Sequence, residues 1–225
     1  MVIEVNNIKI NYEIYGNGKP LILLNPNSVN TNYLIPFAKK LSKNYKVYKV
    51  DRRCCGKSQM NCDLSYESSA KDIVELIEKL QLDKPYIIGL SGGASVALYL
   101  SIIYPDYISK MVLCSGVARF GNMKYPKWAE KVRRLQFLPF IKSSEKFYEL
   151  NEKAKEIDIQ DFIKIKAKTL VINGGQKDIV PEDEARYICD NIENSKLLIF
   201  RGYGHCKYIK NCKEFDNELK EFLDT

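Results

Sequence analysis

Residues 87–98 read IIGLSGGASVAL. Ile87 and Ile88 end an apolar run of the kind that forms a buried strand, and the small apolar residues after Gly93 predict a helix. Ser91 lies at the turn between them. A G-x-S-x-G pattern between a strand and a helix is typical of a sharp turn that presents a nucleophilic serine. The alternative is a tight turn with an inert serine, and the partners that Ser91 has elsewhere in the sequence distinguish the two.

Short apolar runs alternate with helical patterns along the 225 residues. Strands are predicted at Val2–Val5, Ile8–Tyr15, Leu21–Leu24, Lys46–Val50, Tyr86–Gly89, Lys110–Cys114, Lys168–Ile172 and Lys196–Phe200. Helices are predicted at Tyr33–Lys43, Tyr66–Leu80, Gly92–Tyr104, near Glu182–Asn191 and after His205. This order predicts an α/β fold, with a mostly parallel central sheet and helices on both faces. Ligands of such sheets bind at the carboxyl ends of the strands.

One interval, residues 117–167, contains no clear strand and is predicted to be a short helical lid. The lid is expected to be inserted into a single domain that spans residues 1–225. Trp128 and Leu135 fall on one helical face of this basic segment. We expect that face to pack downward and line the substrate pocket, with the basic side in solvent.

Composition restricts the classes of function. A hydrophobic content of 45% with 28% charged residues is typical of a globular protein, and no apolar run approaches the roughly 18 residues of a membrane span. The N-terminus lacks the pattern of a secretion signal, so a cytoplasmic location is expected. The net charge of +7 comes without a nucleic-acid-binding motif. Neither nucleic acid nor a membrane is therefore expected as a partner, and the oligomeric state stays open.

Cysteine and histidine usage argues against metals and disulfides. The seven cysteines are odd in number and form no C-x-x-C pair, and the chain has one histidine. No G-x-G-x-x-G fingerprint is present either. The sequence therefore predicts no metal site and no cofactor.

A serine needs a base to become a good nucleophile, and His205 is the only histidine. It follows the last predicted strand, at the carboxyl edge of the sheet. Asp178 follows the preceding strand and can orient the histidine. Asp183 is the weaker candidate, because it falls inside the next predicted helix. The order Ser91, Asp178, His205 is the serine–acid–histidine order of one hydrolase fold.

The chain resembles the α/β-hydrolase fold family, in particular its small esterases, haloperoxidases and C–C hydrolases. The similar segments are IIGLSGGAS at 87–95, DRRCCGKS at 51–58, VINGGQKDIVP at 171–181 and GYGH at 202–205. They extend over nearly the full length. The resemblance implies that Ser91 is the nucleophile, Asp178 the acid and His205 the base of an acyl-enzyme mechanism.

The resemblance also implies two backbone N–H donors for the oxyanion. One is Gly92, which follows the nucleophile, and the residue that matches the other is Asn27. In this chain Asn25-Pro26 replaces the family's His-Gly. Pro26 has no N–H and a fixed φ, so the loop is expected to differ from the family pattern. Asn25 is expected to be a pocket residue.

The predicted function is a serine hydrolase that cleaves a small carboxylic ester, thioester or related acyl substrate. Two alternatives stay open. One is C–C bond or lyase chemistry on the same fold, as in the menaquinone-pathway synthases, which uses the same three residues. The other is a non-catalytic ligand-binding member of the fold, for which the Asn25-Pro26 loop is the main support. The identity of the substrate stays open.

Overall fold

A computed structural model describes residues 1–28, 30–123 and 139–225, without the side chains of 139–144. Its eight strands form one sheet in the order β1-β2-β4-β3-β5-β6-β7-β8. The strands are β1 (Val2–Val5), β2 (Ile8–Tyr15), β3 (Lys19–Leu24), β4 (Tyr45–Asp51), β5 (Tyr86–Leu90), β6 (Lys110–Cys114), β7 (Lys168–Asn173) and β8 (Ser195–Ile199). The two pairs that contain β2 are antiparallel and the other five are parallel. The predicted mostly parallel sheet is confirmed.

Helices cover both faces of the sheet. In the described ranges they are α1 (Ile35–Leu41), α2 (Tyr66–Lys79), α3 (Gly92–Ile103), α4 (Pro139–Lys153), α5 (Glu182–Asp190), α6 (Tyr208–Asn211) and α7 (Lys213–Asp224). The single helix expected after His205 is divided, because Cys212 is extended, with φ −119° and ψ 106°. The Cys212 sulfur accepts a hydrogen bond from the Phe215 N–H and so caps α7.

Alternation along the strands separates the core into two apolar clusters. Ile22 and Leu24 of β3 pack in the cluster that contains residues of α2 and α3. Leu21 and Leu23 pack in the other cluster, which contains residues of α1, α6 and α7. Because both faces are covered, the central strands carry continuous apolar runs, such as residues 21–24 of β3 and 111–114 of β6, instead of alternating with polar residues. Since β4, β3, β5, β6, β7 and β8 pair in parallel, they end at one common edge, and the loops that follow them meet there.

The interval predicted as a lid contains three described helical pieces. They are the 3₁₀ turns Phe120–Asn122 and Ile159–Lys164, with α4 between them. Trp128 and Leu135 lie outside the described residues. Within the ranges that the structure describes, no helix is both long enough and apolar enough to span a membrane.

Candidate active site

Ser91 lies at the turn between β5 and α3 and has φ 50° and ψ −118°. A residue with a Cβ adopts such a positive φ only under strain. The surrounding backbone holds this conformation: the Ser91 N–H donates to the Cys114 carbonyl over 2.7 Å, and the Ser91 carbonyl accepts from Ala94 and Ser95. Ser91 keeps 8% of its surface exposed. A strained serine at the carboxyl edge of a parallel sheet is the arrangement expected of a nucleophile.

The glycines of the turn are required by close approach of the backbone. A Cβ on Gly93 would lie 2.6 Å from the carbonyl oxygens of Leu24 and Asn25. A Cβ on Gly89 would overlap the carbonyl of Gly93. Backbone atoms cannot move aside as the end of a side chain can. Gly93 therefore allows the start of α3 to pack on the end of β3 and the loop after it, and Gly89 allows β5 to pass close to the first turn of α3.

Asp178 and His205 follow β7 and β8 and are hydrogen-bonded, with His205 Nδ1 2.6 Å from Asp178 Oδ1. Asp178 Oδ1 also accepts from the Val180 N–H, at 3.1 Å. Asp178 Oδ2 accepts from the Gly174 N–H at 3.0 Å and from the Ser115 hydroxyl at 2.6 Å. Burial raises the pKa of Asp178, but the bonds from His205, Ser115 and Val180 outweigh it and hold the pKa below the usual 3.8. The carboxylate therefore stays ionised and orients the imidazole ring.

Ser115 is a site residue that the sequence analysis missed. It follows β6 and has φ 51°. Besides Asp178, its hydroxyl oxygen contacts the Tyr208 hydroxyl, at 3.1 Å. Its N–H donates to the Ile172 carbonyl at 2.7 Å, which continues the pairing of β6 with β7. The only sequence signal is a serine immediately after a buried strand, and that signal is too common to identify a site.

Ser91 and His205 line one cavity of about 340 Å³. The other lining residues are Pro26, Asn27, Met123, Phe147, Tyr148, Asn151 and Ile179. Among the described residues, no hydrogen bond joins the Ser91 hydroxyl to His205, and such bonds often tighten only when substrate binds. A larger cavity of about 570 Å³ lies at the amino ends of β7 and β8, next to Lys168 and Ser195. Because parallel sheets bind ligands at their carboxyl ends, the smaller cavity is the candidate site.

The loop after β3 packs against the start of α3. A Cβ on Gly92 would overlap the side-chain amide of Asn27, so these two residues are in direct contact. Asn25 is fully buried; its amide donates to the Pro26 carbonyl at 2.6 Å and accepts from the Arg52 N–H at 3.0 Å. The structure therefore corrects the expected position of Asn25. Its side chain is used inside the loop, and Pro26 and Asn27 line the cavity instead.

Tyr66 connects this loop to α4. Its hydroxyl accepts from the Asn27 amide at 3.3 Å and donates to Asn151 Oδ1 at 2.6 Å. Its ring stacks on Phe120, with the ring centroids 4.8 Å apart. Two hydrogen bonds through Tyr66 thus connect Asn27 to Asn151, and both asparagines line the cavity. Within residues 1–28, 30–123 and 139–225, no cluster of histidine, cysteine and acidic side chains is arranged to hold a metal ion.

Comparison with known proteins identifies the class. The alpha/beta hydrolase fold family matches residues 19–148, more than half of the chain, and this protein belongs to that family. The serine hydrolase BPHL of Mus musculus is 25% identical, over 98% of this chain and 85% of that protein. The recognised resemblance is confirmed.

Solved structures show the same fold. The enol-lactonase from Burkholderia xenovorans LB400 has a TM-score of 0.82 at 18% identity and covers 100% of both chains. The esterase EaEST from Exiguobacterium antarcticum has a TM-score of 0.81 at 22% identity and covers 100% of this chain and 99% of its own. These likenesses show that the chain has the same fold as these two enzymes.

Proposed function

We propose that this protein is a serine hydrolase that cleaves a small carboxylic ester, thioester or related acyl substrate through Ser91, Asp178 and His205. One observation carries the proposal: Ser91 and His205 line the same cavity, while His205 is hydrogen-bonded to the buried Asp178. A serine that lines a cavity from a strained turn, a histidine and an orienting carboxylate are the parts of a serine acyl-transfer site. Membership of the alpha/beta hydrolase family supports the same class of chemistry.

The reaction begins when Ser91 Oγ attacks the acyl carbonyl carbon. His205 Nε2 takes the hydroxyl proton, and the carbonyl electron pair moves onto the substrate oxygen. His205 Nδ1–H remains bonded to Asp178, whose charge stabilises the imidazolium. The intermediate then expels the alcohol or thiol, which receives the proton from His205, and an acyl-enzyme remains. Water, with His205 again as base, releases the carboxylic acid and restores Ser91.

The backbone N–H groups of Asn27 and Gly92 are the proposed donors to the substrate oxyanion. The contact between the Asn27 side chain and Gly92 supports this assignment, because it brings the two residues together. Gly92 is the first residue of α3, so its N–H has no partner within the helix, and the helix dipole favours negative charge there. Loss of one such donor typically costs about 10²–10³ in turnover.

The cavity supports a small substrate. Its volume of about 340 Å³ is near the lower end for ligand pockets. Met123, Phe147 and Ile179 offer an apolar surface to a short hydrocarbon chain. Within the interval predicted as a lid, the described residues that line the cavity are Met123 and, on helix α4, Phe147, Tyr148 and Asn151. The mechanism uses no metal and no cofactor.

The proposal is tested with a fluorophosphonate probe, which reacts with activated serines. The labelled residue is located by peptide mass spectrometry in the wild type, in Ser91→Ala and in His205→Ala. We expect labelling of the wild type at Ser91 and none in either variant, with all three proteins folded by circular dichroism. A panel of short-chain p-nitrophenyl esters and thioesters then ranks substrates.

Two results would contradict the proposal. One is a folded wild type that is not labelled at Ser91. The other is equal labelling of Ser91 in the wild type and in His205→Ala, because the serine would then react without its proposed base.

A further inference from the structure

Arg52 joins both ends of the loop that carries the proposed donor Asn27. It is almost completely buried, with 1% of its surface exposed. Its Nε donates to the Asn25 carbonyl at 2.9 Å, and its Nη2 donates to Asn27 Oδ1 at 2.8 Å. Its backbone N–H donates to the Asn25 side chain at 3.0 Å. Arg52 therefore bonds to the residues on both sides of Pro26, which itself has no N–H.

The charge of Arg52 lacks a counter-ion in the part of the chain that the structure describes. No described carboxylate lies within 4.0 Å of the guanidinium, and Nη1 has no hydrogen-bond partner there. The neighbouring Arg53 is also buried, but it binds both oxygens of Asp72, at 2.6 and 2.7 Å. A buried charge without a partner is costly, and it is retained most easily beside a place where negative charge forms.

The Asn27 amide lies between Arg52 and Gly92, the second proposed donor. Oδ1 of this amide accepts from Arg52, and its Nδ2 donates to Tyr66, which fixes the orientation of the group. The same amide is packed against Gly92. Arg52 therefore acts on the spacing between Asn27 and Gly92, whose N–H groups are the proposed oxyanion donors.

We propose that Arg52 is a positioning residue of the oxyanion hole. It holds the Asn25–Asn27 loop against Gly92, and its charge favours the negative charge that develops on the substrate oxygen. This inference rests on the proposed serine hydrolase function. Arg52 itself does not line the cavity, so it acts through Asn27 and not by contact with the substrate.

The test measures kcat and KM for Arg52→Met and Arg52→Lys with the best ester of the panel. It also measures the inhibition constant of a short alkyl boronic acid, which adds to the serine to form a tetrahedral anion. For Arg52→Met we expect kcat to fall about 10–100-fold, somewhat less than for a lost donor, with KM changed by less than about threefold. Boronic acid affinity falls by the same factor. Arg52→Lys keeps the charge but cannot make both bonds, so its loss is intermediate.

Arg53→Lys is the matched control, because Arg53 is a buried neighbour that binds Asp72 and not the loop. We expect its kcat to remain within about twofold of the wild type. An equal loss in Arg53→Lys and Arg52→Met would overturn the inference, since it would indicate a general effect of disturbing this segment. A folded Arg52→Met with kcat and boronic acid affinity within about twofold of the wild type would also overturn it.

If Arg52→Met does not fold, Asn27→Ala decides the question. This variant keeps the backbone N–H of residue 27 and removes the Oδ1 atom that Arg52 holds. A fall in kcat and in boronic acid affinity supports the inference, and wild-type values overturn it. The two proposals fail differently: an unlabelled wild type refutes the serine hydrolase, whereas a labelled wild type with an unaffected Arg52→Met refutes only the role of Arg52.

Discussion

Replacement of Asp178 by asparagine tests the proposed acid most sharply. The carboxylate accepts four hydrogen bonds, two at each oxygen: His205 and Val180 at Oδ1, Ser115 and Gly174 at Oδ2. An asparagine has one oxygen and one NH₂ group. Whichever way the amide turns, its NH₂ group faces two former donors.

The two orientations of the amide are similar in free energy. With NH₂ at the Oδ1 position, His205 must take the other tautomer and the Val180 N–H loses its acceptor. With NH₂ at the Oδ2 position, the Ser115 hydroxyl turns to accept and the Gly174 N–H loses its acceptor. Each orientation leaves one buried backbone N–H unpaired, at about 1–3 kcal/mol. We therefore expect both amide orientations to be populated. The molecules with the wrong tautomer of His205 then reduce turnover by no more than about tenfold.

The larger loss comes from the missing charge. A hydrogen bond to a charged group contributes about 1.5–3 kcal/mol, which corresponds to about 10–100-fold in rate. Asp178→Asn is therefore expected to lower kcat by about 10²-fold and by 10³-fold at most. This is less than the roughly 10⁴-fold that a fully wrong tautomer causes in a serine protease triad.

The measurement is kcat and kcat/KM on the best ester of the panel, with Asp183→Asn as the control. Asp183 is an exposed carboxylate on α5, five residues from Asp178, and its loss should change kcat by less than about twofold. A loss below about threefold in Asp178→Asn would refute the assignment of the acid, above all if Asp183→Asn were the inactive variant. A loss of 10⁴-fold or more would refute the divided orientation.

Two further substitutions test the support of the site. Gly93→Ala places a Cβ 2.6 Å from two backbone carbonyl oxygens. We therefore expect it to lower the free energy of unfolding, measured in urea, by about 1–3 kcal/mol and to abolish labelling of Ser91. The control is Gly121→Ala, whose Cβ would have one neighbouring atom, at 4.0 Å, and which should have neither effect. Ser115→Ala removes a donor to Asp178 and should raise its pKa. Because the folded pKa of Asp178 lies below its usual value, this group stabilises the fold above about pH 4, and that stabilisation is lost as the pH falls through the folded pKa. The variant should therefore be less stable than the wild type by about 1–3 kcal/mol at pH 7, and this difference should shrink as the pH falls through the folded pKa of Asp178; equal stabilities of the two proteins at pH 7 would refute the role of Ser115.

Most of the fold follows from local patterns that can be recognised without a structure. The continuous apolar runs of β3, β5 and β6 predict strands covered on both faces, and the structure confirms this. The turn around Ser91 can be recognised in the sequence because glycine is required at 93, where α3 packs on β3, and at 89, where β5 passes close to α3. Local patterns miss the break at Cys212, where the apolar periodicity continues but the residue is extended and its sulfur caps α7.

The candidate site, like the fold, could be predicted only in part from the sequence. Order along the chain and the presence of a single histidine were enough to select Ser91, Asp178 and His205 as candidates. Ser115 could not be selected, because its contact with Asp178 joins residues 63 positions apart. The buried position of Asn25 could not be foreseen either, since its acceptor role depends on Arg52, which β4 carries to the loop after β3.

The physical reason is the range of the interactions. Side-chain periodicity, glycine in tight turns and proline at helix starts act within a few residues. The strands, the helices and the serine turn can therefore be predicted directly from the sequence. The partners of the Asp178 carboxylate, the buried cation of Arg52 and the contact of Asn27 with Gly92 depend on the pairing and register of strands that are far apart in the chain. Those contacts exist only once the parallel strands have brought their carboxyl ends to one edge, and they determine how the site is held together.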